Sequence, residues 1–344
     1  MENISVIGLD LAKNVFQVHG TDARGKAVLK KKLRRGDVLR FFSALPSCLV
    51  GIEACGSAHY WGRELRALGH DVRLIPPAYV KPYLKRNKTD AADAEAIAEA
   101  VSRPSMRFVA IKSEEQQAVL ARHSVRDLLI RQQTGLINSF RGLLAEYGII
   151  RAQGRQGFAA LREVLDETND TVPVPAKMAL QVIVGEIDRL QATLAALEAE
   201  IKAQCRDDET CQRLMKIEGV GPITASRLTA TLNDLTMFRK SRDFAAWLGL
   251  TPKVHGSGGK DRLGKISKQG NEALRRLLVL GASAALGQIR SARSRQQSRL
   301  TEWVGGLIRK NKPFRLIAVA LANKIARIVW ALLSKNQAYA PNPA

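Results

Sequence analysis

Four carboxylates in the first third of the chain, Asp10, Glu53, Asp90 and Asp93, have the types and spacing for divalent-metal chemistry. Asp10 closes the apolar run that starts at Ile4, and Glu53 closes the run that starts at Leu49. An acid at the end of a buried strand is costly unless it is paired or holds a metal. Asp90 and Asp93 open a helix in Asn87-Lys-Thr-Asp-Ala-Ala-Asp93 and, at i and i+3, share one helical face. For that pair alone, stabilisation of a helix N-terminus would be reason enough. With Asp10 and Glu53 added, the four predict a site for Mg2+ (or Mn2+), because magnesium favours carboxylates and water over His and Cys. Two ions ~4 Å apart would serve phosphodiester chemistry by activating one oxygen and stabilising the leaving one.

A second candidate lies far downstream, in Thr251-Pro-Lys-Val-His-Gly-Ser-Gly-Gly-Lys260. Glycines on both sides of Ser257 let the backbone approach a phosphate and expose the hydroxyl. Lys260, Arg262, Lys265 and Lys268 follow, cations suited to a phosphoryl transition state. Ser257 is thus a candidate nucleophile for a DNA phosphate, giving a covalent phosphoserine link. A Gly-Ser-Gly loop is equally a flexible connector, and no general base is evident beside the serine. Upstream, Ile217-Glu-Gly-Val-Gly-Pro222 has the pattern of a helix-hairpin-helix, in which Gly219 and Gly221 would let the backbone approach a phosphate. A tight helix–helix turn would use the same glycines.

These groups need elements to position them. Ile4–Leu11, Val15–Gly20 and Ala27–Leu33 read as three strands joined by short turns, and Leu49–Ile52 and Val72–Ile75 as two more, with a helix over Tyr60–Leu68 between them. Three antiparallel strands followed by alternating helices and strands is the order of a ribonuclease-H-like (RuvC-like) α/β layer. Ser113, with Gln116 three residues on, predicts the start of a long helix that runs to about Gly148. A second long helix follows Pro173, with Leu180, Ile183, Ile187, Leu190, Leu194, Leu197 and Ile201 in steps of three and four. That is a coiled-coil seam, which serves either an internal hairpin or a dimerisation arm. The expected class is α/β plus all-α. Residues 1–110 form the RuvC-like domain and 111–207 the coiled-coil arm. Residues 208–335 form a mostly helical C-terminal domain with a helix-hairpin-helix, and 336–344 a tail.

Composition narrows the partner. Across 344 residues, 54 Lys and Arg against 32 Asp and Glu give a net charge of +22. From Arg239 to Lys335 there are 21 basic and 4 acidic residues, so most of the excess sits in the last third. Such an excess favours a polyanion, because cations on phosphate release condensed counterions. Lys30–Lys32 with Arg34 and Arg35, and Arg290 through Arg299, are candidate backbone contacts, or else solvated faces. The four cysteines make no metal-binding pattern and read as free thiols in a reducing compartment. The apolar stretch near 314–334 carries Lys324 and Arg327 and is a poor membrane span. A cytoplasmic, nucleoid-associated location is expected, with no membrane partner.

The order of these motifs resembles one family. Gly8-Leu-Asp-Leu-Ala-Lys13, Ile52-Glu-Ala-Cys-Gly56 and Asn87–Asp93 resemble the DEDD domain of the insertion-sequence one-ten transposases, including the one-one-one-one subgroup, described as bridge-RNA-guided DNA recombinases. Ile217–Pro222, Phe244-Ala-Ala-Trp-Leu-Gly-Leu-Thr-Pro252 and Ser257-Gly258 are similar to that family's C-terminal domain. The resemblance implies that Asp10, Glu53, Asp90 and Asp93 are the metal-binding acids and that Ser257 is the nucleophile. It implies a homo-oligomer, dimer or tetramer, in which different protomers complete one site on donor and target DNA. It also implies a structured guide RNA from the element, with strand exchange through a junction-like intermediate. The loop around Ser257 is Gly-rich and differs from some members. Two other readings remain: a metal-only junction-type nuclease, and a non-catalytic nucleic-acid-binding protein.

Overall fold

The computed structural model describes residues 4–84, 89–165, 171–232, 234–235, 237–257, 260–291, 298–336 and 339; the side chains of Ser257, Lys260 and Asp261 lie outside what is described. The chain divides into two compact units, Met1–Gln117 with Asn233–Met237, and Ala118–Leu232 with Phe238–Ala344.

Unit 1 is an α/β layer. Its elements are β1 (Val6–Asp10), β2 (Val15–Thr21), β3 (Ala27–Arg34), α1 (Val38–Ser43), β4 (Leu49–Glu53), α2 (Ala58–Ala67), β5 (Asp71–Ile75), the short α3 (Pro77–Val80) and α4 (Asp90–Val101). The sheet order is β3-β2-β1-β4-β5. The first three strands pair antiparallel, while β1–β4 and β4–β5 are parallel. Of the parallel strands, β1 and β4 are apolar runs because both of their faces are covered, while β5, at the sheet edge, carries Asp71 and Arg73. Ile7, Leu9, Phe16, Val50, Ile52 and Leu74 are fully buried. α4 (Asp-Ala-Ala-Asp-Ala-Glu-Ala-Ile-Ala-Glu-Ala-Val) is thin on the side that meets the sheet, and it buries Ala94, Ile97, Ala98 and Val101.

Unit 2 is mostly helical. α5 (Glu114–Ala145) starts at the expected cap: Ser113 Oγ accepts from the Gln116 N–H at 3.2 Å and Gln116 Oε1 from the Ser113 N–H at 3.0 Å. Then come α6 (Arg155–Arg162), α7 (Val174–Asp207), α8 (Glu209–Met215), α9 (Pro222–Thr231), α10 (Ser241–Trp247), β6 (Pro252–Ser257), β7 (Lys260–Ile266), α11 (Glu272–Arg290), α12 (Arg299–Arg309) and α13 (Phe314–Lys335). α5 and α7 lie antiparallel: Arg122 bonds Gln204 at 3.1 Å, and Arg126 pairs with Glu198 at 2.6 Å. Phe140 and Leu144 of α5 share a core with Leu161, Val164 and Leu180. Within the chain, then, the apolar seam of α7 has α5 beside it. Val174, Met178 and Val182, at i, i+4 and i+8, stay exposed.

A buried ion cluster ties α5 to α9 and α11. Asp127 accepts from Arg227 at 2.6 Å and from Arg276. Burial alone would raise its carboxyl; the hydrogen bond and charge of Arg227, followed by the charges of Arg276 and Arg126, outweigh it and hold the carboxyl below the usual carboxylate range. α13 is long and apolar enough to cross a membrane by composition, yet Ile317, Leu321, Ile325, Val329 and Leu332 are buried within this helical packing.

Candidate active site

β1 and β4 run parallel with Leu9 opposite Ile52, so Asp10 and Glu53 are the next residues on adjacent strand ends. Neighbouring strands lie roughly 4.8 Å apart. Both acids are half-buried. Their charges reach the loop beyond β4, where burial first, and then Glu53 and Asp10, push the Cys55 thiol up.

α4 brings the other two acids. Thr89 is its N-cap, its side chain accepting from the Ala92 N–H at 3.3 Å, which starts the helix at Asp90 and fixes Asp93 one turn on. Gly8, two residues before Asp10, lets the helix backbone touch the strand. A Cβ there would collide with the Ala94 carbonyl oxygen and stand 2.5 Å from the Ala98 nitrogen. The outcome is a cluster in which Asp10, Asp90 and Asp93 each bring a ligand oxygen within 4.8 Å of the others. Glu53 stands outside that cluster, on the adjoining strand end. Of the four acids expected in one pocket, three converge and Glu53 stands beside them.

Carboxylates gathered this closely concentrate negative charge, which a bound cation would offset. An all-oxygen donor set without His or Cys fits a hard divalent ion. A recess of about 330 Å³ adjoins the cluster, lined in part by Gln17, His19, Lys30, Lys32, Thr89 and Glu95. Gln17 is the cross-strand partner of Asp10, so the lysines of β3 flank the approach to the acids. Thr89 and Gly8 went unread in the sequence. The signal for Thr89 was a cap residue directly before an acidic first turn.

Ser257 is the last residue of β6, paired with Lys260 at the start of β7. The segment read as a Gly-rich loop is therefore a β-hairpin, in a region expected to be helical. Gly258 and Gly259, along with the Ser257 and Lys260 side chains, lie outside the described residues. Arg262, Lys265 and Lys268 are exposed, and Lys268 adopts a left-handed backbone (φ 56°).

Gly219 sits in the α8–α9 turn with φ 85°. A Cβ on it would stand 2.9 Å from the Gly281 carbonyl oxygen of α11, and one on Gly281 would collide with the Gly219 carbonyl. Helix packing and the positive φ thus require the glycine at 219, whatever its backbone contacts. Gly221 caps α9 with open space around it.

Comparison with known proteins agrees in order and extent. Residues 7–149 match the DEDD transposase model of the IS110 group, and residues 211–299 match the model described as "Transposase IS116/IS110/IS902 family". The chain is 52% identical to a probable family 20 transposase of Pseudomonas aeruginosa, over 98% of this chain and 99% of that protein. It is 40% identical to the transposase for insertion sequence element IS1111A of Coxiella burnetii, over 98% and 92% of the two chains. It is 39% identical to the transposase for insertion sequence element IS1328 of Yersinia enterocolitica, over 98% and 99%. With a DEDD domain ahead of the C-terminal transposase segment, the chain belongs to the IS116/IS110/IS902 family of transposases, enzymes that cut and rejoin DNA.

Proposed function

We propose that this transposase moves its own insertion element by RNA-guided strand exchange between donor and target DNA, through a covalent bond from Ser257 to a DNA phosphate. The observation that carries the reading is the convergence of Asp10, Asp90 and Asp93 at the end of β1, in a chain whose C-terminal segment contributes a serine hairpin. In the RuvC-like layer, Asp10, Asp90 and Asp93, with Glu53 beside them, would hold Mg2+ or Mn2+. A bound ion supplies Lewis-acid polarisation of a phosphoryl oxygen. The Ser257 hydroxyl attacks phosphorus and gives its proton to solvent; the phosphorus–oxygen bond to the departing strand breaks, and that strand leaves as a protonated hydroxyl. The reverse attack, by a hydroxyl from the other DNA, restores the serine and rejoins the strands. Arg262, with Lys260, would neutralise phosphate charge near the serine, and Lys265 and Lys268, five and eight residues beyond Lys260, would meet phosphates farther along the strand.

The basic last third of the chain suits both DNA and a structured guide RNA. A homo-oligomer is supported by the exposed stripe of Val174, Met178 and Val182. Action on chromosomal DNA makes the cytoplasm its place of work. The test is a suicide DNA substrate carrying the element end, incubated with protein and RNA from the element's noncoding end, then run on a denaturing gel. Ser257→Ala is expected to abolish the protein–DNA adduct while RNA binding survives. An adduct that persists in the variant removes Ser257 as nucleophile. A second reading is hydrolysis by the acid site alone, favoured by the acids lying entirely within unit 1. It predicts strand breaks with no adduct in the unsubstituted protein.

A further inference from the structure

In unit 2 the hairpin β6–β7, together with α12 and α13, bounds a groove of about 1480 Å³. Its floor is apolar, built from Leu250, Leu316, Val319 and Ile328, with Leu263 of β7 and Trp303 of α12 at its sides. Its cations are Lys265, Lys268, Arg315, Lys324 and Arg327, and no Asp or Glu occurs among the described residues that line it. An apolar protein segment would fill the floor but leave five cations without counter-charge. A duplex would satisfy the cations but keeps its bases stacked away from the floor. A single strand meets both demands, since its phosphates lie against Lys and Arg and its unpaired bases have flat apolar faces. Lys324 already places Nζ 4.3 Å from the centroid of the Trp303 ring. Burial, then the neighbouring Arg327, pushes the Lys324 ammonium down, as expected of a cation short of an anion.

The hairpin says which strand this is. β7 begins at Lys260, the partner of Ser257, and enters the groove at Leu263. Three residues of strand span about 10 Å, which is roughly three stacked nucleotide steps. We propose that the groove receives an unstacked base, with its flanking phosphates, from the DNA strand that Ser257 cuts, a few nucleotides from the scissile phosphate. The choice of DNA rests on the serine reading above; the base-binding groove does not.

The test uses full-length protein in EDTA, so that no strand is cut. The probes are a labelled dT 12-mer, the same 12-mer with its four central bases removed, and a U 12-mer of RNA. Trp303→Ala is expected to weaken the intact dT 12-mer at least about 5-fold, with the abasic 12-mer bound equally by wild type and variant and the salt dependence unchanged. Leu316→Ala, a change at a half-exposed position, should lose affinity in the same direction, and Trp303→Phe should restore most of it; both guard against a folding defect, checked by circular dichroism. Equal losses on intact and abasic DNA, or no loss in either alanine variant, overturn the proposal. A loss confined to the RNA 12-mer overturns the assignment to DNA. If the base-dependent loss appears but Ser257 forms no adduct, the groove stands and only the serine reading fails.

Discussion

Gly8 of β1 lies against Ala94 of α4 so closely that the strand has no room for a side chain. That contact sets the distance from Asp10 to Asp93. Gly8→Ala is expected to push α4 off the sheet and to lower DNA cleavage at least tenfold, with a stability cost of about 1–3 kcal/mol typical of overpacking. Cleavage assays beside urea melts check it, and an unaltered cleavage rate would contradict the argument.

Metal affinity should rank the acids by their place in the cluster. Asp10→Asn and Asp93→Asn are expected to weaken Mn2+ binding more than tenfold, and Glu53→Gln to weaken it less, because Glu53 stands outside the three that converge. Titration followed by electron paramagnetic resonance of free Mn2+ reads this directly. Addition of EDTA should stop cleavage, and full activity in EDTA would defeat the metal assignment.

Acid should loosen unit 2 in two stages. His123 bonds Ser226 Oγ at 3.0 Å, and burial, then Arg227 and Arg126, push its pKa down to about 4. A depressed histidine favours the folded state fully above its unfolded pKa of about 6.5, and that share is lost as pH falls from there toward 4. Asp127, held low by its arginines, keeps its share until pH falls below its unfolded value of about 3.9. Urea midpoints from pH 7.5 to 4.5 should therefore fall in the wild type and less in His123→Gln. Asp127→Asn should cost about 3 kcal/mol at pH 7, because two arginines lose a buried partner.

The two glycines of the α8–α9 turn should separate cleanly. Gly219→Ala is expected to destabilise unit 2 by strain against Gly281 and by its positive φ, while leaving the salt slope of DNA binding intact. Gly221→Ala, in open space, should spare stability. A Gly219→Ala protein with normal thermal stability would show that the packing argument is wrong.

Electrostatic approach to the acids is also measurable. Replacing Lys30, Lys31 and Lys32 together by Gln should reduce the slope of log K against log salt by about two. An unchanged slope would place those lysines away from the phosphates.

Unit 1 was legible because β1 and β4 are apolar runs that stop at acids, and the α5 start because Ser113 and Gln116 form a local cap. What lay hidden depends on distant partners. Nothing near Gly219 announces Gly281, some sixty positions on in the chain. The hairpin carrying Ser257 buries little: Val254 and Leu263, which face each other across it, are 59% and 73% exposed. No apolar alternation therefore marks its strands, and the surviving cue is two glycines between two short runs. Convergence of Asp90 with Asp10 was readable, but the offset of Glu53 depends on strand ends and helix seating that spacing does not encode.

α13 adds a constraint of timing. Its buried face completes the packing around α10 and α11, which flank the hairpin in sequence. A ribosome delivers α10, the hairpin and α11 first, and α13 only some twenty-four residues after α11 has ended, at about 5–20 residues per second. Unit 2 therefore cannot close while the chain is still short of residue 335, although unit 1 with its acids is already synthesised. The most apolar helix is the last to be made, and the helices that flank the serine hairpin gain that packing partner last. A truncated or stalled product would carry the acidic unit with its helical partner unfinished.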